Sequence, residues 1–467
     1  MKIPSSTEIL KNEGLKVALN LANEFGANLY LVGGSIRNLF LNKKIIDYDL
    51  IIDAKGEKFA HCFASKIRSK LIILGKENFQ TFRVPFGKIY FDIWDLKGEP
   101  LREDLWRRDF TINAIALHLQ IGDYIDPTNG IFDIKSKSIR WVNPNIFQED
   151  PLRILRAFRF LAQFKNFSIE EGTLKGIISS SYLIGKVASE RILYELDLIF
   201  SQKDIQKILI LMDESKLLCF LFPEINRLKS IEQDFYHPDN AFEHTLNSVF
   251  LKNEGLKWLY ENLKNFKKLT NEEELDLVYT ILLHDVGKFS TKVVKGDRIH
   301  FYSHEKVGET ISKDILYRFK FSNKRRDRIL NLIKNHMRPL QIMLNGSSEK
   351  AIRHFIHTSG ENLRLQLALF LCDFLSKRRE KENVYNFLKK IWDFYKKEGR
   401  KLLKPKKIIS GEEIMKVFNL SPCEEVGKIL NAVLRKQISG EIKNKRDALK
   451  YLKEIKEKKF NIKSKNS

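Results

Sequence analysis

Apolar residues between Asn28 and Trp94 fall into short runs: Leu29 to Val32, Asp47 to Ile52, Leu71 to Leu74, Thr81 to Pro85 and Ile89 to Trp94. Runs this short, rich in β-branched and aromatic side chains, predict strands. The helical periodicity between them predicts a small α/β head. After about Asn143 the strand signal fades, and helical periodicity with few glycines carries the chain to its end. The pattern as a whole predicts an α+β multidomain protein, a small α/β head followed by an elongated all-α body.

Four segments can be separated. Residues 1–143 form the head. Residues 144–225 form a helical neck that closes near Phe222-Pro223-Glu224. Residues 226–375 hold most of the histidines, and residues 376–467 form a strongly basic helical tail. The stretch from Lys453, rich in Lys, Asn and Ser, is expected to fray. No internal repeat is evident.

The length of 467 residues requires more than one ordinary domain, and 43% hydrophobic content is ample for globular cores. A net charge of +23, from 82 Lys+Arg against 59 Asp+Glu, points to a polyanionic partner. Cys62, Cys219, Cys372 and Cys423 are widely spaced, which argues against a thiolate zinc site or a disulfide framework and fits a reducing cytoplasm. The start, Met1 to Thr7, lacks the apolar core of a signal peptide, and no apolar run approaches a membrane span. The expectation is a cytoplasmic protein with no membrane partner.

Asp47 and Asp49 stand two apart on a predicted strand, so both carboxylates project from one face. Two adjacent anions need a cation, and hard oxygen ligands suit Mg²⁺. Upstream, Leu31-Val32-Gly33-Gly34-Ser35-Ile36-Arg37 reads as strand, turn and helix start, where backbone N–H groups can receive phosphate. Gly34 would meet a triphosphate by close backbone approach and Arg37 by charge. A third acid commonly completes such a site from a neighbouring strand, and Asp92 is the candidate. Its alternative is a strand-end acid facing water. Asp95 lies on the opposite face.

Further motifs follow in order: Arg107-Arg108-Asp109-Phe110-Thr111-Ile112-Asn113-Ala114, Asp126-Pro127-Thr128-Asn129-Gly130, Glu149-Asp150-Pro151-Leu152-Arg153-Ile154-Leu155-Arg156-Ala157-Phe158-Arg159-Phe160 and Ser189-Glu190-Arg191-Ile192. Through them the chain resembles the class II tRNA nucleotidyltransferases, the CCA-adding enzymes, which share a catalytic head with bacterial poly(A) polymerases. The resemblance implies a nucleotidyltransferase head, CTP and ATP as substrates, and tRNA as partner. It places Arg108 at the triphosphate, with Asp109 beside it near the ribose. It also makes Asp150 and Arg153 the readers of the incoming base in place of a nucleic-acid template. Asp150, Arg153 and Arg156 are expected on one helix face at i, i+3 spacing, with Arg159 a further turn along. Glu190-Arg191 is expected to brace the neck without taking part in the chemistry. In the tail, Gly411 to Ile414 and Gln437 to Ile442 resemble the family's C-terminal region.

His244, His284, Asp285, His304, His336 and Asp373 occur in the order of an HD domain. Imidazoles and carboxylates from different helices can hold one or two divalent ions, here a transition metal such as Ni²⁺, Co²⁺ or Mn²⁺, and activate water for phosphoester hydrolysis.

One departure from the family pattern bears on specificity. Between Asp92 and Arg107, complete CCA-adding members carry a longer flexible segment with an Arg-x-Glu-x-Tyr type motif. Only Asp95 to Leu105 intervenes here. Among relatives a shortened loop accompanies enzymes that add two cytidines but not the final adenosine. The reading is therefore CCA addition, with CC addition alone as its partial form. The alternatives are a poly(A) polymerase and a metal-dependent HD phosphohydrolase with an RNA-binding head.

Overall fold

The computed structural model describes residues 4, 9–75, 80–96, 100–233, 239–377 and 380–463. They form two compact units. The first holds residues 1–202 and 207–221; the second holds residues 203–206 and 222–467.

The first unit is built on a seven-stranded sheet in the order β3-β4-β5-β2-β1-β6-β7. Its strands are β1 (Leu29–Val32), β2 (Asp47–Ile52), β3 (Ile72–Leu74), β4 (Thr81–Phe86), β5 (Ile89–Asp95), β6 (Ala116–His118) and β7 (Tyr124–Ile125). The first five match the strands predicted from the pattern. β6 and β7 are too short to announce themselves. The β2–β5 pair is parallel and every other pair is antiparallel. Alternation divides β2 cleanly: Tyr48, Leu50 and Ile52 point one way, while Asp47, Asp49 and Ile51 point the other.

The first face carries the aromatic core. Phe91 of β5 stacks on Tyr48 at 5.1 Å between ring centroids and meets Phe63 edge-on at the same spacing. Helices α1 (Glu13–Glu24) and α2 (Gly56–Lys66) close that face with Leu15, Ala18, Leu21 and Ala22, and with Phe59, Ala60, Phe63 and Ala64. On the second face Ile51 packs with Leu101 and Leu105 of a short helix, Leu101–Trp106, and with Ala114, Ala116 and Val142. That helix occupies much of the Asp95–Leu105 connection expected to be a loop. Lys97, Gly98 and Glu99 of the connection lie outside the described residues.

The Asp126-Pro127-Thr128-Asn129-Gly130 motif is a helix start. The Asp126 carboxylate accepts from the backbone N–H groups of Gly130 and Ile131 at 2.7 and 2.9 Å, opening a helix over Gly130–Ser136. A methyl group on Gly130 would sit 2.0 Å from the Thr111 carbonyl oxygen. Glycine is therefore required for this helix to lie against the Arg107–Ala116 motif.

The neck is helical, with helices over Leu152–Gln163, Glu171–Ser180 and Ser189–Phe200. Two short strands, Ser138–Ile139 and Ser168–Ile169, pair in parallel. The second unit is helical apart from one exposed hairpin over Lys292–Lys295 and Arg298–Phe301. In the tail, Ser410 opens the helix Gly411–Phe418 with a capping box, and Gly440, at φ +84°, stands just beyond the helix Glu424–Ile438. Ile409, Ile414, Ile429, Val433, Ala448 and Leu452 form a small core of their own. The expected fraying from Lys453 is not seen up to Lys463, because the helix Lys445–Lys463 continues and anchors Leu452 in that core. No helix among the described residues is long and apolar enough to cross a membrane.

Gly130→Ala should lower stability by roughly 1–3 kcal/mol through overpacking. Calorimetry on the full chain should show a fall in melting temperature on the order of 5 °C.

Candidate functional site

A cavity of about 720 Å³ in the first unit gathers Gly33, Gly34, Arg37, Asp47, Asp49, Asp92, Arg108, Asp109, Asp150, Arg153, Arg156 and Arg159. All eleven head and neck residues picked out in the sequence are among them, with Gly33 added. The cavity also receives Asn38, Lys44, Arg83, Arg107, Asn113 and Arg191.

The carboxylate wall follows from strand register. Asp49 of β2 stands beside Asp92 of β5, and Asp92 stands opposite Arg83 of β4. Arg83 clamps Asp92 with two hydrogen bonds of 2.7 Å, Nε to Oδ1 and Nη2 to Oδ2. Asp92 is 6% exposed, so it is not a strand-end acid facing water. Asp95, on the other face, accepts from the Gly56 N–H at 3.1 Å at the start of α2. Burial, with Asp92 and Asp47 nearby, pushes the Asp49 carboxyl up to about 6, although Arg108 pulls against it. Among the described residues neither Asp47 nor Asp49 has a side-chain ion pair. The other acids at the cavity, Asp92, Asp109 and Asp150, are each joined to an arginine.

The turn before β2 is held by Ser35. Its hydroxyl donates to the Asp47 carbonyl at 2.8 Å and accepts from the Asp49 N–H at 3.0 Å, tying the helix Gly34–Phe40 to the strand. Of the two glycines, Gly33 lies nearer the surrounding side chains. Gly33 adopts φ +66°, and a methyl group there would lie 2.7 Å from Arg108 Nη1 and 3.1 Å from Asp49 Oδ2. The Gly34 N–H donates to the Asp49 carboxylate.

Seven further arginines ring the cavity. Arg37 donates to the side-chain oxygens of Asn113 and Asn38 and lies over the Phe160 and Phe164 rings at 5.0 and 4.9 Å. Burial lowers it to about 10, which leaves it charged at neutral pH. Arg108 is steadied by Asp104 at 2.9 Å. Asp109, expected beside the ribose, is 7% exposed and already engaged by Arg156, Asn113 and the Phe110 N–H. Burial pushes its carboxyl up, but these partners outweigh it and hold it at about 2. Arg159 pairs with buried Glu195 at 3.0 Å.

Arg153, Arg156 and Arg159 do share one face of the helix Leu152–Gln163, with buried Ile154 and Phe158 on the far side. Asp150 does not lie on that helix. It is extended, at φ −144° and ψ 98°, because the residue before a proline is excluded from helical geometry. Its Oδ1 accepts from the Leu152 N–H at 3.2 Å, and its Oδ2 from Arg191 at 2.8 Å. Arg153 bonds Glu149 at 3.0 Å and the Arg107 carbonyl at 2.9 Å. Arg83 was missed in the sequence, and Arg191, expected only to brace the neck, lines the cavity and holds Asp150. Only the cross-strand position of the first and the return of a later helix to the cavity bring them in.

In the second unit the six candidate HD residues converge from five helical segments, as His244, His284 and Asp373 beside Asp285, His304 and His336. His244 Nε2 lies 2.9 Å from Asp373 Oδ1, His284 Nε2 3.2 Å from Asp285 Oδ2, and His304 Nε2 3.4 Å from Asp285 Oδ1. The Nδ1 atoms of His284, His304 and His336 face the carbonyls of Ile281, Phe301 and Ile333 at 2.7, 2.8 and 2.7 Å. Donation there leaves each Nε2 bare toward the centre. His304 and His336 present their Nε2 atoms to each other at 3.1 Å, a contact that a shared proton or a bound cation satisfies. Burial lowers His336 to about 3 and His244 to about 4, keeping both in the neutral, ligating form. Lys288 lies 2.7 Å from Asp285 Oδ2, the oxygen that also faces His284, and Lys377 lies 2.7 Å from Asp373 Oδ2.

Comparison with known proteins agrees with this geometry. Residues 29–140 match the poly A polymerase head domain, residues 166–229 the probable RNA and SrmB-binding site of polymerase A, and residues 242–393 the HD domain. An A-adding tRNA nucleotidyltransferase of Deinococcus radiodurans is 28% identical over 430 residues, covering 90% of this chain and 93% of that protein. The Multifunctional CCA protein of Shewanella frigidimarina is 30% identical over 323 residues, covering 66% of this chain and 73% of that protein. The Thermotoga maritima CCA-adding enzyme, solved as a complex with tRNA, has the same fold, with a TM-score of 0.63 at 22% identity over 97% of this chain and 99% of that one. Heads and HD domains of these kinds point to dependence on divalent metal, and candidate groups for it are present in the second unit. An enzyme with this head, this RNA-binding segment and this histidine–aspartate centre belongs to the class II tRNA nucleotidyltransferases, the CCA-adding family, in a form that carries an HD domain.

Proposed function

We propose that the chain adds nucleotides from CTP and ATP to the 3′ end of tRNA, selecting each base with protein side chains. The observation that carries this reading is the pair Asp47 and Asp49, with no side-chain ion pair among the described residues, on a wall otherwise lined by arginines and paired acids. In the reaction the terminal 3′-hydroxyl oxygen bonds to the α-phosphorus, the bond to the leaving pyrophosphate breaks, and the hydroxyl proton is lost. Asp47 and Asp49 would hold Mg²⁺, with Asp92 beside them. The bound ion supplies charge neutralisation at the attacking and leaving oxygens. Arg37 and Arg108 receive the triphosphate, and Gly33 and Gly34 let it approach the backbone. Asp150 and Arg153 present the donor–acceptor edge to the base, and we add Arg191 as the residue that positions Asp150. We assign the work to the cytoplasm and read residues 1–143, 144–225, 226–375 and 376–467 as head, neck, HD domain and tRNA-binding tail.

For the HD centre we propose a transition ion, Ni²⁺, Co²⁺ or Mn²⁺, suited to imidazole nitrogen, and hydrolysis of a phosphoester such as a 2′,3′-cyclic phosphate. There a water oxygen bonds to phosphorus, one ring P–O bond breaks, and a proton passes to the released oxygen. The bare Nε2 pair of His304 and His336 supports this.

Asp47→Asn or Asp49→Asn should reduce nucleotide incorporation by roughly 10²-fold or more while tRNA affinity stays nearly unchanged; near-normal incorporation by the folded variant would refute the assignment. Asp150→Ala or Arg153→Ala should relax the choice among the four nucleotides, since an unmatched polar edge costs roughly 1–3 kcal/mol. Rate loss with selectivity intact would mean that these residues do not read the base. His284→Ala with Asp285→Ala should abolish phosphoester hydrolysis and spare nucleotide addition.

The product itself tests the whole reading. A tRNA ending in its discriminator base, given CTP and ATP, should gain three nucleotides ending in adenosine. A product two nucleotides longer identifies the CC-adding form, for which the short Asp95–Leu105 connection argues. A single adenosine added to tRNA ending in CC identifies the A-adding form, named for the Deinococcus relative. Long adenosine tails would replace this reading by poly(A) polymerase.

A further inference from the structure

The hairpin Lys292–Lys295 and Arg298–Phe301 has two faces with different jobs. Its register pairs Val293 with His300 and Lys295 with Arg298 on one face, and Val294 with Ile299 and Lys292 with Phe301 on the other. The Phe301 side serves the HD centre. The Phe301 carbonyl accepts from His304 Nδ1 at 2.8 Å, and the Lys288 ammonium lies over the Phe301 ring at 5.3 Å while reaching Asp285 at 2.7 Å.

The other face continues from His300 to Tyr302. The two rings stack with centroids 5.2 Å apart and planes within 13°. The Lys295 ammonium lies over the Tyr302 ring at 5.2 Å. Tyr302 is nevertheless 55% exposed, and Val293 is 39% exposed. Between Lys288 and Ser303 the cations are Lys288, Lys292, Lys295 and Arg298, against the single acid Asp297 at the turn. An exposed ring backed by a second ring and edged by cations is what an unpaired base and its phosphates require.

We propose that this face docks single-stranded RNA, stacking an unpaired base on Tyr302 and meeting its phosphates with Lys295 and Arg298. Because Tyr302 stands two residues before His304, a bound 3′ end is delivered to the HD centre. This rests on the phosphohydrolase reading of that centre. The stacked rings select RNA over a protein partner: an acidic peptide would satisfy the lysines and leave the rings unused.

The test uses the full chain loaded with Mn²⁺ and a single-stranded oligoribonucleotide that carries 4-thiouridine near a 2′,3′-cyclic phosphate end. Photo-crosslinked peptides are mapped by mass spectrometry, opening of the cyclic phosphate is followed in parallel, and bound Mn²⁺ is measured for every variant. The expected result is an adduct within residues 292–306. It should fall about tenfold or more in the double variant Tyr302→Ala, Lys295→Ala and be kept in Tyr302→Phe, with bound Mn²⁺ and CTP incorporation unchanged. Adducts confined to other segments would overturn the proposal. So would equal labelling of the alanine and phenylalanine variants, or joint loss of adduct and Mn²⁺, which would mark a structural role. An adduct in this segment without opening of the cyclic phosphate would uphold the docking surface and refute the hydrolase reading.

Discussion

The parallel register of β2 and β5 is the constraint on which the head site depends. It sets Asp49 beside Asp92, and the antiparallel register of β4 sets Arg83 beside Asp92 in turn, so three ionisable side chains form a row across three strands. The row holds one cation for two carboxylates, with Asp47 two residues away on the same face. Arg83 spends both its donors on Asp92. Asp49 is left in a low-dielectric position with its carboxyl raised to about 6, a position that favours a divalent cation. The opposite face fixes the row. Tyr48, Phe91 and Phe63 lock together beneath α1 and α2, and a slip of one residue would turn the aromatic rings into the cavity and the carboxylates into the core.

The arginine ring solves a second electrostatic problem. Guanidinium groups crowded into one cavity repel, and most are steadied by an acid: Arg108 by Asp104, Arg156 by Asp109, Arg159 by Glu195, Arg191 by Asp150 and Arg153 by Glu149. Arg37 is held differently, by amide oxygens and two phenylalanine rings, and so keeps its charge available to an anion. The Arg107–Ala116 motif organises much of this. Asp109 fixes Arg156, Asn113 fixes Arg37, and Thr111 bonds Asp133, which also binds Arg140. Several of its residues thus act by placing cations that come from other elements.

Strands and motif residues were legible because their signals are local. Period-two alternation exposed β2 and β5, and the ordered motifs brought the cavity's arginines and aspartates together before any fold was known. Arg83 was not legible, since nothing near it in sequence tells which strand returns to the cavity, and Arg191 stood in a quoted motif whose place at the cavity depends on a later helix. Ser35 was equally silent, because its role depends on two backbone groups of the following strand. The helical spacing of Asp150 and Arg153 misled, although Pro151 already forbade helical geometry at Asp150. The hairpin in the second unit was hidden by its brevity: four residues a side, with lysines at both ends of the first strand.

That misreading bears on how a base can be selected. Asp150 and Arg153 are not a rigid edge on one helix. Asp150 sits on an extended residue and is held by Arg191, while Arg153 is anchored to Glu149 and to the carbonyl of Arg107. Each can be reoriented by exchanging an exposed partner, at a cost of about a kcal/mol, without moving the buried apolar side of the helix Leu152–Gln163. A change from a pyrimidine to the larger purine therefore has a local route, through the Asp150–Arg191 and Arg153–Glu149 pairs, that does not pass through the shortened connection after Asp95. If Asp150 and Arg153 read the base as proposed, these two ion pairs bear on the final adenosine alongside the length of that connection.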